Sequence, residues 1–266
     1  MRRTAAFLKR NALEMTRDPV TYVFCLGFPV IMIILFQVIN ACTHGTTPVF
    51  EAPSLIPGIV MFSFTFVMLS VSLLVSKDRR SAFLVRLYAS PMRTVEFLAG
   101  YALPFVAVGV LQEVVCILFG YIISLIVGGA FFTFGQAMLL MLEMLPMLFI
   151  CIALGILLGS VFNDKSAPAI TSALITAAGV LGGAWMPLDA MGGFETFCRC
   201  LPFYPAVYIG RIITGAAHTP VGTAPPEVYS FDNIAALGII PVAVWFIAAV
   251  ILAIVAFKRN MTSDKK

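Results

Sequence analysis

Charged side chains are scarce in this sequence. Of its 266 residues only 11% are Asp, Glu, Lys or Arg, while 61% are hydrophobic; a soluble globular domain carries roughly 25% charged residues. A water-soluble fold is thereby excluded. Histidine is scarcer still. His44 and His218 are the only two, and neither stands at metal-ligand spacing from Cys or another His, so a metal hydrolase or a histidine-based triad lacks its parts. No GxSxG or HExxH occurs. Residues 159–166 end in Lys165-Ser166 but carry Asp164 where a phosphate loop needs Gly, and they follow no strand. ATP, if it is used, is hydrolysed on another chain. The basic loops show no interleaving with aromatic residues that calls for nucleic acid.

Six cysteines, at 25, 42, 116, 151, 198 and 200, form no CxxC pair. Cys42, Cys198 and Cys200 fall in segments read as external, where a disulfide is open to them in an oxidising compartment; free thiols near the membrane surface are the simpler reading. A secretory signal is not expected either, because the first apolar run has about 20 residues rather than 7 to 15 and no small-x-small site follows it.

What the sequence does have is apolar runs long enough to cross a bilayer, which takes about 20 residues each. They lie at about 20–39, 55–76, 98–127, 137–160, 168–185 and 234–257. Six helical spans put both termini on one side. Basic residues say which side: fifteen of the seventeen Lys and Arg lie in residues 1–18, 77–97, the turn at Lys165 and the C-terminal tail, and only Arg199 and Arg211 lie opposite. The positive-inside rule then places both termini in the cytoplasm and the chain in the cell membrane. The third run exceeds what a bilayer requires, so it tilts, kinks near Pro104 or projects. Residues 1–18 carry five basic side chains, with Leu8, Ala12 and Met15 at helical spacing. They read as an amphipathic helix on an anionic leaflet or as a basic flank of the first span.

Two loops are more than turns. Residues 77–97 place Phe83, Leu84, Leu87 and Tyr88 on one stripe of a short helix stopped before Pro91. Such a helix docks into a partner's groove or rests on lipid headgroups. Residues 186–233 begin too apolar for a solvated loop and are too interrupted, by Pro202 and Pro205, for a further span; short re-entrant or interfacial helices fit. Inside the spans, Glu113 and Glu143 are the notable charges and are candidate intramembrane polar sites, with Gln112 and Gln136 as potential hydrogen-bond partners. Phe24, Phe28, Phe62 and Phe66 form a candidate apolar path for substrate, the alternative being contact with lipid or neighbouring helices.

The order of several short motifs along the six spans resembles a known family, the ABC type-2 permeases. Arg17-Asp18-Pro19 leads into span one, and Ile56-Pro57-Gly58 opens span two. Lys77-Asp78-Arg79-Arg80 through Ser90-Pro91 fill the basic loop. Gly182-Gly183 and Met186-Pro187 end span five, and Leu201-Pro202 and Pro205 mark the re-entrant region. The loop departs from the family pattern at Ser81, where members commonly carry Gly. The resemblance implies one all-α permease domain over residues 1–266: an N-terminal interfacial helix, six spans, a cytoplasmic coupling helix at about 79–90 and external re-entrant helices. It implies no cofactor on this chain, with ATP and Mg on a separate ATPase subunit that the coupling helix engages through Arg79, Arg80, Phe83, Arg86, Leu87, Ser90 and Pro91. A second permease chain, identical or not, would pair with this one around a path lined by spans one, two and five, carrying a drug-like, lipid or peptide substrate outward. The competing reading is an ion- or proton-coupled secondary transporter built on Glu113 and Glu143. A further alternative is an intramembrane enzyme or scaffold, which the shortage of catalytic side chains disfavours.

Overall fold

The computed structural model describes residues 2–43, 48–80, 94–127, 131–218, 228–229 and 234–263. Of the described residues 87% are helical, and none of them forms a strand. Helix α1 covers Arg2–Thr16. Helix α2, Pro19–Tyr22, passes through a π-helical turn, Val23–Gly27, into α3, Phe28–Cys42. The long helices are α4, Ala52–Arg80, α5, Thr94–Val127, and α6, Phe134–Val161; α7, Ala167–Leu181, is shorter. Two further short helices follow, α8 at Gly193–Arg199 and α9 at Phe203–Thr214, and a π-turn at Ala235–Ile239 opens the last helix, α10, Ile240–Ser263. In hydrocarbon the backbone has no water to bond, so each apolar run closes its own hydrogen bonds as a helix.

Five helices among the described residues are long and apolar enough to cross a membrane: Val23–Cys42, Ala52–Arg80, Thr94–Ile126, Phe134–Val161 and Ala235–Asn260. They correspond to the runs expected as spans one to four and six. The run expected over 168–185 becomes a helix of 15 residues, a rise of about 22 Å against a hydrocarbon core of about 30 Å. It ends at Gly182-Gly183, where Gly183 takes a left-handed φ of +62°, a conformation glycine adopts without steric cost.

Helix α4 is the axis of the bundle: 89% of its apolar window is buried, against 22% for the first span. It packs on α6, α5, α7 and α9. The contact with α6 is set by Gly155 and Gly159, one turn apart. A Cβ on Gly155 would stand 2.6 Å from the carbonyl oxygen of Met68, and one on Gly159 2.6 Å from that of Ser72. Only glycine lets the two backbones come this close, the small-xxx-small geometry of membrane helix pairs. Hydroxyls on the buried face of α4 return to the helix itself, Ser63 Oγ donating to the carbonyl of Ile59 at 2.7 Å and Thr65 Oγ1 to that of Phe62 at 2.5 Å.

The excess length of α5 extends to the end of the bundle that carries α1, called here the basic end. Phe7 of α1 meets Phe97 and Tyr101 of α5 edge-on, at ring-centroid separations of 5.9 and 5.1 Å. Asn11 Nδ2 donates to the carbonyl of Gly100 at 3.0 Å. The inward face of α1 is therefore Phe7, Asn11 and Met15, all buried. Of the expected stripe, Leu8 and Ala12 are only partly covered. The face has rotated because a polar residue, Asn11, finds a buried backbone acceptor that hydrophobicity alone does not reveal.

Candidate functional site

Four clusters hold the side chains with functional potential. The first is aromatic. Phe24 stacks on Phe66 at 5.8 Å, Phe66 meets Phe28 at 5.0 Å and Phe62 at 5.4 Å, and Phe28 lies 6.2 Å from Phe62. The four residues expected to line a path thus come together. The row continues beyond them: Phe62 meets Trp185 at 4.8 Å, Trp185 stacks on Phe36 at 5.8 Å, and Phe36 on Phe50 at 5.4 Å. Its members on the first span run from Phe24, in the π-helical turn, to Phe36 on α3, about 18 Å. Beside them the first span leaves Ile31, Ile34, Leu35 and Val38 exposed.

The second cluster is carboxylic. Glu113 and Gln112 on α5 are fully buried, and neither has a hydrogen-bond partner among the described residues. Glu143 on α6 lies within electrostatic reach of Glu113, and one of its carboxyl oxygens is likewise buried and unpartnered. Gln136 does not serve them. Its side chain closes a capping box with Thr133, accepting from the Thr133 N–H at 2.8 Å while Thr133 Oγ1 accepts from the Gln136 N–H.

The third cluster gathers charges at the basic end. Asp78, buried near the end of α4, accepts from Arg10 Nη2 at 2.6 Å and from the Tyr101 hydroxyl at 2.8 Å. Glu14 bridges Arg10 at 2.6 Å and Lys77 at 2.7 Å. Arg79 Nη1 donates to the carbonyl of Ser160 at 2.6 Å, at the C-terminal end of α6 where the helix dipole is negative. Arg80 pairs with Asp164 in the turn before α7. Arg79 and Arg80 thus belong to the α4 helix and tie it to the α6–α7 turn. Phe83, Arg86, Leu87, Ser90 and Pro91, expected to complete a coupling helix, lie outside the described residues.

The fourth cluster closes the opposite end. Arg211 on α9 is fully buried. Its Nη2 donates to the carbonyl of Gly183 at 2.7 Å, its Nε to that of Ser54 at 3.3 Å, and its Nη1 to the Tyr229 hydroxyl at 3.4 Å. Tyr229 donates to Asp189 Oδ2 at 2.6 Å, with His218 Nδ1 3.2 Å from the same oxygen. Burial alone would raise Asp189. The His218 hydrogen bond, the Arg211 charge and the Tyr229 hydroxyl outweigh it and hold the carboxyl well below the usual carboxylate range. Thr214 Oγ1 adds a bond to the carbonyl of Pro53 at 2.6 Å, and Trp245 Nε1 donates to that of Cys200 at 2.8 Å. An isolated antiparallel bridge between Ala217 and Val228 holds the segment that brings Tyr229 in. Sequence reasoning counted Arg211 only toward orientation and passed over Asp189 and Tyr229. The available signal was a lone arginine inside the apolar helix FYPAVYIGRIIT.

The region expected to hold re-entrant helices forms α8 and α9, joined by the turn at Leu201-Pro202. All six cysteines are free, with Cys198 buried and Cys42 and Cys200 exposed. Compared with known families, residues 2–214 match the model described as ABC-2 type transporter. No curated protein matches the sequence.

Proposed function

The chain belongs to the ABC-2 type transporter family and is the membrane-spanning subunit of an ABC-type transporter, and from that premise we propose that it exports an amphipathic substrate, drug-like, lipid or peptide, using ATP and Mg bound by a separate ATPase subunit. The basic end faces the cytoplasm in this reading, following the distribution of Lys and Arg. The aromatic row from Phe24 to Phe50 carries the proposal. It offers a continuous apolar, polarisable surface between α3 and α4, beside a face of the first span that a single chain leaves uncovered. A second permease chain covering that face would enclose the row as a path.

The energy enters through contacts that differ between two states. The ATPase subunit engages the residues after Arg80, and Asp78, Arg79 and Arg80 carry its movement into α4 and the α6–α7 turn. The other end of α4 supplies the carbonyls of Pro53 and Ser54 that Thr214 and Arg211 hold, so a shift of α4 loads or releases the Arg211 cluster, which serves as the external gate.

The test is purification of the tagged chain from native membranes in mild detergent, followed by ATP-driven uptake of rhodamine 6G into inside-out vesicles. A stoichiometric ATPase subunit, vanadate-sensitive hydrolysis and uptake that falls at least tenfold in Phe62→Ala/Phe66→Ala are expected. A chain recovered alone, with uptake abolished by an uncoupler and indifferent to vanadate, would overturn the reading. That outcome belongs to the second reading, a proton- or ion-coupled carrier, which the unpartnered carboxyls of Glu113 and Glu143 favour.

A further inference from the structure

The outer surface where α6, α9 and α10 meet carries a groove of about 720 Å³, apart from the aromatic row. Its walls include Leu142, Pro146, Phe149, Ile209 and Phe246, and Glu143 is the one ionisable group among its lining residues. The groove opens outward, since Leu142, Ile239 and Ile247 on its rim are 65%, 53% and 57% exposed. Glu143 stands nine positions after Phe134, about 14 Å along α6, within the apolar span Phe134–Val161. Phe149 and Phe246 meet edge-on within the groove, their centroids 6.3 Å apart.

The polar atoms that this place offers a ligand are carboxyl and carbonyl oxygens. One oxygen of Glu143 is buried without a partner. Pro146 has no N–H with which to close the helical bond to the carbonyl of Leu142, four residues earlier. Behind Glu143 stands the second unpartnered carboxyl, Glu113. Among the described residues no basic side chain lines the groove. Arg211, the nearest cation in sequence on α9, is engaged with Gly183, Ser54 and Tyr229, and Lys258 and Arg259 of α10 lie at its basic end. A carboxyl in hydrocarbon is costly unless paired or neutralised, and among the described residues no cation lines the groove beside it.

We propose that the groove binds a hydrophobic amine, an apolar body bearing a protonated amino group, that enters sideways from the lipid. The apolar body fills the space between Leu142, Ile209 and Phe246. The ammonium N–H groups are taken by Glu143 and by the carbonyl of Leu142, which Pro146 cannot serve, and the faces of Phe149 and Phe246 add cation–π attraction. A primary or secondary ammonium suits two acceptors, and an alcohol of equal length supplies no charge. The site is defined by binding and needs neither ATP nor a partner subunit.

The experiment measures binding of radiolabelled octylamine to the purified full-length chain in lipid nanodiscs, with octanol and octanoate as neutral and anionic competitors. Saturable binding near one per chain is expected, displaced by unlabelled octylamine and resisted by octanol and octanoate. Glu143→Gln, nearly isosteric, should weaken it at least tenfold. Ala243→Phe, which adds bulk to an exposed lining position and leaves Glu143 in place, should abolish it, so the test survives even if Glu143→Gln does not fold. Unchanged affinity in a folded Glu143→Gln chain would overturn the proposal, as would full binding in Ala243→Phe. Displacement by sodium as effective as by a second amine would also overturn it, because the site would then hold a bare cation.

Discussion

An arginine with no surface exposure survives in a protein only if its N–H groups are taken up, and Arg211 has three acceptors on three different segments. The planar fork makes this reach, whereas a lysine ammonium offers one point charge. Arg211→Met should strand the carbonyls of Gly183 and Ser54 and leave Asp189 without its cation; breaking a buried charged network this way costs about 3–5 kcal/mol. Arg211→Lys should recover only part of that loss, as measured by thermal unfolding of the purified chain in detergent. Equal stability of the two variants would show that charge alone matters at this site. Asp189 provides a second check with a definite sign. Its folded carboxyl is held well below the ordinary range, so its contribution is complete above about pH 4, the unfolded value, and is lost as pH falls through the folded one. Unfolding temperature should therefore drop in strong acid in the wild type, and that portion of the drop should be absent in Asp189→Asn. The charges in this cluster and in the carboxyl pair were legible from sequence to different degrees. Glu113 and Glu143 interrupt apolar runs and announce themselves. Arg211 interrupts one too, but its partners Asp189 and Tyr229 sit 22 and 18 residues away across turns, and no periodicity links them.

At the scale of elements, apolar length fixed the spans well because hydrocarbon leaves the backbone little alternative to helix. The expected runs at 55–76 and 137–160 are the middles of α4 and α6. What length does not encode is where a helix stops for local reasons, as at Gly183, or which face it turns inward, as in α1. Nor does it show which helices touch. The α4–α6 contact depends on Gly155 and Gly159, whose spacing is visible in the sequence but whose partners, Met68 and Ser72, are not. Gly159→Leu should force α6 away from the backbone of α4. Overpacking of an interior typically costs about 1–3 kcal/mol, and the upper end is expected here because the obstructing atoms are backbone. The check is thermal unfolding beside Gly135→Leu, a glycine with open space where its Cβ would be. Similar losses in both variants would mean that helix propensity, and not the close approach, explains the effect.

For the whole molecule the central question is how an event at the basic end reaches the other side. Helix α4 spans about 43 Å and is fastened at both ends, by Asp78, Arg79 and Arg80 at one and by the carbonyls of Pro53 and Ser54 at the other. If transport requires α4 to shift, the Arg211 cluster must loosen in every cycle, and the segment carrying Tyr229 must move relative to α9. That movement can be blocked without touching the cluster's own side chains. Ala217 and Val228 face each other across the antiparallel bridge, and the Tyr229 N–H bonds to the carbonyl of Ala216 at 3.0 Å, the pattern of a non-hydrogen-bonded pair with Cα atoms about 4.5 Å apart. That separation lies within the range a disulfide tolerates. In a chain with the exposed Cys42 and Cys200 replaced by Ser, the pair Ala217→Cys/Val228→Cys should oxidise and lower rhodamine 6G uptake at least tenfold, while the subunit still recovers its ATPase partner. Dithiothreitol should restore uptake, which would distinguish a locked gate from a misfolded one. Full uptake with the disulfide quantitatively formed would mean that this end stays closed throughout the cycle and that substrate leaves by another route.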